Sequence, residues 1–138
     1  MRLLAVDFGE KRIGLAVSDE SGAVVVPIGA VARRSDAAAA EAVTVEVRQR
    51  GVTRIVVGHP VRAGGTESLL ARRARNFARR LAGASGLPVD LHREELTTRA
   101  ADEALAEAGV APARRKAARD AEAAAALLRD YISGRGGR

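Results

Sequence analysis

The chain has no cysteine and no tryptophan, and only one tyrosine and two phenylalanines in 138 residues. Without cysteine there is no disulfide, no thiolate nucleophile and no Cys-ligated zinc. With so few aromatics, a base-stacking platform of the single-strand-binding kind is disfavoured. Lysine is scarce as well: of 23 basic residues only Lys11 and Lys116 are lysine, and the net charge is +6. Part of the arginine excess, like the abundant alanine, is consistent with compositional bias, so the charge is compatible with a polyanionic partner without proving one. Any such partner is expected to be held by arginine at its backbone phosphates. No apolar run reaches membrane-spanning length and no signal-peptide pattern is seen, since Met1-Arg2 leads straight into an apolar strand. A cytoplasmic protein without a membrane partner is therefore expected.

This length suits one domain, which buries roughly two-thirds of its unfolded surface without staples. Neither an internal repeat nor a linker interrupts it. One domain over 1–133 is expected, followed by a disordered Gly/Arg tail over 134–138.

What the chain does have is concentrated between Leu3 and Ser18. Leu3 to Val6 form an apolar run suited to a strand buried on both faces. Ile13, Leu15 and Val17 alternate with Gly14, Ala16 and Ser18 as in a second strand. Between them lies Asp7-Phe8-Gly9-Glu10-Lys11-Arg12. A carboxylate at the end of a core strand is costly unless a metal ion or a firm hydrogen-bond donor pairs with it; the plainer alternative is a turn or capping Asp. Gly14 would let another segment approach closely.

Further along, Ala23 to Ile28 reads as a third strand, placed at a sheet edge by Pro27. Ser35-Asp36 open a helix that runs to Arg50 and stops at Gly51. Thr53 to Gly58 is a β-branched strand expected to pair in parallel in the core. A glycine-rich loop with Arg62 leads to a long helix starting near Thr66. Leu70, Ala74, Phe77, Ala78 and Leu81 share one of its faces, and Arg72, Arg75 and Arg79 the other, flanked by Arg73 and Arg80. That arginine face is either simply solvated or a phosphate-tracking face. Gly83 to Gly86 should end the helix. Leu87 to His92 is the next strand, a helix from Thr98 to Ala108 follows, and the last helix runs from Pro112 to about Ile132. The order βββαβαβαα gives an α/β fold with a five-stranded mixed sheet, three antiparallel strands then parallel ones, and helices on both faces.

In the last helix Ala117, Ala121, Ala124 and Leu128 form an apolar seam. Asp120 lies beside it, with Ala124, Leu127 and Tyr131 on the same side, so this acid is expected to point at the sheet. A pair with Lys116 one turn earlier is the structural alternative. Asp7, Glu94 and Asp120 thus come from three places that converge at one sheet edge, where ligands of α/β proteins normally sit. Clustered carboxylates call for hard divalent cations such as Mg2+ or Mn2+, two of which can clamp the attacking and leaving oxygens of a phosphodiester. Asp90 and Glu95 are competing candidates. His59 and His92 are read as a loop histidine and a sheet-face histidine.

The series Asp7-x-Gly9-x-Lys11-Arg12-Ile13-Gly14, Gly58-x-Pro60 with Gly65-Thr66, Glu94-x-Leu96-Thr97-Thr98 and Lys116-x-x-x-Asp120 with Ala123-Ala124 resembles the motif set of the YqgF (RuvX) family of pre-16S rRNA nucleases. These are relatives of the Holliday-junction resolvases. The resemblance spans almost the whole chain. It implies an RNase H-like fold, divalent-metal nuclease chemistry and a role in maturing the 5′ end of small-subunit ribosomal RNA. By motif match it implies Asp7, Glu94 and Asp120 as catalytic acids and metal ligands, with Lys11, Arg12, Gly65, Thr66 and Lys116 facing substrate. A resolvase-like reading brings branched DNA and a homodimer with it, whereas a ribosomal RNA substrate requires no dimer. The chain departs from the family at Arg93-Glu94-Glu95, where Asp-Glu-Arg is common, and at His59, which replaces a usual Leu. Two other classes share some features. An actin- or hexokinase-type phosphotransferase needs a second lobe that this length does not supply, and a non-catalytic RNA-binding assembly factor would share the charge without the cleavage.

Overall fold

The computed structural model of the chain describes residues 1–60, 67–94, 109 and 112–136; the side chains of 112–114, 135 and 136 are not described. The expected helix from Thr98 to Ala108 lies outside the described residues.

Five strands and three helices are present among the described residues: β1 (Leu3–Phe8), β2 (Arg12–Ser18), β3 (Val25–Ala32), α1 (Asp36–Arg50), β4 (Arg54–Pro60), α2 (Leu69–Ser85), β5 (Val89–Glu94) and α3 (Pro112–Gly136). The strands form one sheet in the order β3-β2-β1-β4-β5. β1 pairs antiparallel with β2, and β2 with β3, while β1–β4 and β4–β5 are parallel. The mixed sheet matches the one read from the sequence.

Alternation along β1 divides the core in two. Leu4, Val6 and Phe8 face α1 and α2, where Val43, Val47, Phe77 and Leu81 complete one cluster. Leu3 and Ala5 face α3, where Ala124, Leu127, Leu128 and Tyr131 complete the other. Leu4, Ala5 and Val6 are wholly buried, which is why β1 is apolar at successive positions. Asp7 continues the odd series and so projects on the α3 face, at the carboxyl end of the central strand.

Local signals account for most element ends. Ser35 caps α1 by accepting from the Ala38 N–H at 3.1 Å, and Gly51 closes it. Ser68 caps α2 through the Ala71 N–H at 3.1 Å, so this helix starts at Leu69; Thr66, near which the start was expected, lies outside the described residues. Gly83 lies inside α2, and Gly86 is the cap. Helix propensity therefore carries the chain across Gly83, where a lone glycine costs only about 1 kcal/mol. β3 is an edge strand, as Pro27 requires, but it continues past Ile28 to Ala32. Gly29, at φ 118°, absorbs the bulge that carries it on. β4 extends to Pro60 and β5 to Glu94, so Glu94 is the last residue of its strand. α3 continues to Gly136, beyond the expected boundary at 133. Ala117 is exposed, and Ala125 and Leu127 join the buried seam instead. No described helix is long and apolar enough to cross a membrane.

Candidate functional site

The α3 face at the carboxyl ends of β1, β4 and β5 gathers the acids. Asp7 is on β1, Glu94 ends β5, and β4 lies between those two strands. The β1–β4 ladder pairs Val6 with Val57, and Gly58 is the next residue of β4. A Cβ built there would lie 2.5 Å from Glu94 Oε2 and 3.0 Å from Leu127 Cδ2. The missing side chain is what allows the Glu94 carboxyl to lie over β4 and hydrogen-bond to Asp7.

Glycine also sets the third acid. Asp7 is opposite Gly14 in the β1–β2 ladder. A Cβ on Gly14 would stand 2.0 Å from the backbone oxygen of Asp120 and 3.0 Å from the Ala121 nitrogen. α3 therefore rests its backbone directly on β2 at this notch, and Asp120 is brought close enough for its charge to act on Asp7. Among the sequence-derived candidates, Asp7, Glu94 and Asp120 thus share one corner of the molecule.

The acids act on one another. Burial raises the Asp7 carboxyl; the hydrogen bond from Glu94 opposes the rise, and the Asp120 charge adds to it. Burial, the hydrogen bond to Asp7 and the Asp7 charge together push Glu94 up to about 9. A carboxyl raised that far keeps its proton at neutral pH, and Glu94 directs it at Asp7. Asp120 has a different partner: Arg12 Nε on β2 donates to its Oδ2 at 2.7 Å. The alternative of a Lys116 pair does not hold: Lys116 is exposed, and the contact comes from a distant part of the chain. Among the described residues, no three His, Cys, Asp or Glu side chains close into a ready-made metal cage.

The remaining candidates divide clearly. Lys11 is exposed at the rim, beside half-buried Arg12. Gly65, Thr66 and Glu95 lie outside the described residues. Asp90 is engaged by the Tyr131 hydroxyl, which donates to it, and by Arg54 Nη1 at 3.0 Å. His92 meets Asp130 at 2.6 Å and stands edge-on to the Tyr131 ring. His59 projects to the other face of the sheet, where it lies 3.3 Å from Glu67, which also accepts from Arg75 at 3.0 Å. It is therefore not a solvated loop residue: β4 includes it, and Glu67 ties it to α2. Residue-by-residue reading did not find the Arg12–Asp120 pair or the gap at Gly58. The signal for the first was a cation across the hairpin loop from Asp7. Nothing local signalled the second.

A mixed sheet in this strand order, bearing acids at the carboxyl ends of its parallel strands, is the RNase H-like fold of the resolvases. Thermus thermophilus RuvC in complex with Holliday junction substrate superposes over 99% of this chain and 97% of its own, with a TM-score of 0.56 at 17% identity. The fowlpox virus Holliday junction resolvase does so over 97% and 99%, with a TM-score of 0.59 at 13% identity. The family model described as "RuvX: Holliday junction resolvase" matches residues 1–134, and the chain belongs to this family of nucleases. Among its relatives is a protein of Syntrophus aciditrophicus named "Putative pre-16S rRNA nuclease", 40% identical over 96% of this chain and 88% of its own. Another of the same name from Symbiobacterium thermophilum is 43% identical, covering 100% of this chain and 96% of its own.

Proposed function

We propose that the chain is a divalent-metal-dependent nuclease that hydrolyses phosphodiester bonds at the Asp7–Glu94–Asp120 corner, with the 5′ end of pre-16S rRNA as its target. The observation that carries this reading is the convergence of three acids from distant parts of the chain, with Glu94 reaching Asp7 over Gly58 and Asp120 set beside them by the Gly14 notch. Two carboxyls lie in hydrogen-bond contact, and a third acid, paired with Arg12, stands beside them. Such an all-oxygen donor set suits Mg2+ or Mn2+. Asp7, Glu94 and Asp120 would hold the metal, which when bound supplies Lewis acidity towards phosphate and water.

The chain's own groups do the rest. Glu94 would hold the metal as a carboxylate, its proton passing to solvent. Arg12, at the same corner and partly open to solvent, would offset the charge that develops on a phosphate oxygen. Lys11 at the rim, Lys116 on α3 and the 65–66 segment add contacts to the same polyanion. α3, seated on Gly14, fixes the position of Asp120.

The RNA target is supported by the names of the full-length relatives. The family's description supports branched DNA as the second reading, for which a homodimer would present two sites. Matched structured RNA and four-way DNA junctions, each with Mn2+ or with chelator, separate the two. The expected result is Mn2+-dependent cleavage of the RNA. Asp7→Asn and Asp120→Asn should each lose more than about 100-fold, beyond the range for removing a merely supporting group. Undiminished cleavage by Asp7→Asn would remove this corner from the mechanism. Binding without cleavage by the wild type would make the chain an RNA-binding assembly factor.

A further inference from the structure

The sheet has a second charged face, behind the acids. α2 carries five arginines and no acidic residue from Leu69 to Ser85. Arg75 turns away to Glu67, with 3.0 Å between Nη2 and Oε2. Arg72, Arg73, Arg79 and Arg80 are exposed, with exposed Asn76 among them. At 3.6 residues per turn these five positions fall within about 120° of arc, and the two arginine pairs lie about 10 Å apart along the axis.

Among the described residues, none of these four guanidinium groups has an ion pair or a hydrogen bond. The arrangement is unfavourable to the helix itself. Arg72 and Arg73 sit near the positive end of the helix dipole, and the like charges repel one another. Arginine-rich composition does not account for it, because the other helices mix their signs. α1 exposes Glu41 and pairs Glu46 with Arg50 at 2.8 Å, and α3 exposes Asp130 beside Arg129. Among the described helices α2 alone carries no acidic residue, and its charge is the complement of a phosphate backbone.

Its position defines the ligand further. α2 follows β4 and therefore starts at the carboxyl end of the sheet, where Asp7 and Glu94 lie, but it packs against the opposite face. Arg72 and Arg73 are nearest that rim, and Arg79 and Arg80 lie two turns behind. A ligand touching both the acids and the stripe must pass around the carboxyl-terminal rim of the sheet and run down α2. A mononucleotide or a short single strand is too small for that. A folded nucleic acid with double-helical segments is not.

We infer that the exposed arginine stripe of α2 is a second, non-catalytic contact for the nucleic-acid backbone, and that the substrate is a folded nucleic acid that wraps the sheet from the acids to α2. This rests on the nuclease reading for the identity of the ligand, but its test does not depend on turnover. A stem-loop RNA is titrated in chelator by fluorescence anisotropy between 50 and 200 mM KCl, so that binding alone is read. The fourfold variant Arg72→Gln, Arg73→Gln, Arg79→Gln, Arg80→Gln is compared with wild type. A control removes exposed arginines elsewhere, as Arg34→Gln, Arg48→Gln, Arg129→Gln. Glutamine has nearly the helix propensity of arginine, and circular dichroism checks the fold. The expected result is a log–log salt slope shallower by about 0.9 per arginine removed from α2. Wild type would then lose on the order of 100-fold more affinity than the variant over this salt range. The control should lose far less slope per charge. An unchanged slope in the fourfold variant, or an equal loss per charge in the control, overturns the inference. The nuclease reading fails separately, on the cleavage assays of the acid variants.

Discussion

Glu94 donates a hydrogen bond to Asp7 although the two residues sit on strands that are not neighbours, because the strand between them presents Gly58 at that level. The relationship makes a pH prediction for the metal-free protein. Glu94 is raised from its ordinary 4.5 to about 9, so the folded state holds a proton that the unfolded chain releases. The stabilisation is complete below about pH 4.5 and is lost as pH rises through about 9, since the native state binds more protons across that window. Urea denaturation in chelator should give a midpoint that falls steadily from pH 5 to pH 9. Glu94→Gln keeps a neutral donor towards Asp7 and should flatten that fall. A wild-type midpoint independent of pH in this range would contradict the shared proton.

Two glycines should respond to alanine in opposite directions. A methyl at Gly14 would stand 2.0 Å from the Asp120 backbone oxygen, so α3 must lift off β2. Gly14→Ala should cost about 1–3 kcal/mol, as overpacking does, and should also reduce cleavage by moving Asp120. Gly83 lies inside α2 with nothing within 4 Å of where its Cβ would be. Gly83→Ala should therefore stabilise by about 0.5–1 kcal/mol and leave cleavage unchanged. Thermal melts of the two variants, with cleavage measured alongside, check both signs.

The two glycines also mark how far the sequence can be read. Short-range signals gave the strands, the caps at Ser35 and Gly51, and a mixed sheet of antiparallel then parallel strands. They also put Asp7, Glu94 and Asp120 at one edge. What stayed hidden was long-range. The Gly14 notch was visible only as a site of close approach, without its partner on α3. The room that Gly58 leaves for Glu94 depends on which strand lies between β1 and β5. For Asp120, local spacing offered Lys116 one turn away as the alternative to a functional role, and it could not offer Arg12, which is far off in sequence. The geometry of the Gly14 crossing decided for Arg12. His59 was misjudged for a related reason: β4 runs further than its apolar run, so the residue is in a strand and not in a loop.

That ion pair supports the last prediction. Arg12 Nε holds Asp120 Oδ2 at 2.7 Å while both side chains remain partly open to solvent, at 32% and 21% exposure. A divalent cation claiming Asp120 must first displace the guanidinium. Partly exposed pairs of this kind contribute about 0.2–1 kcal/mol. Arg12→Gln should therefore tighten Mn2+ binding, by up to about fivefold at the upper end of that range. If the displaced guanidinium goes to phosphate, the same variant should bind RNA more weakly and cleave it more slowly even with saturating Mn2+. Calorimetric titration of Mn2+ gives the first quantity, and single-turnover cleavage at saturating metal gives the second. Opposite movements of metal affinity and cleavage rate are what distinguish a counter-ion that changes partners from one that merely braces α3 against β2, whose removal would weaken both together.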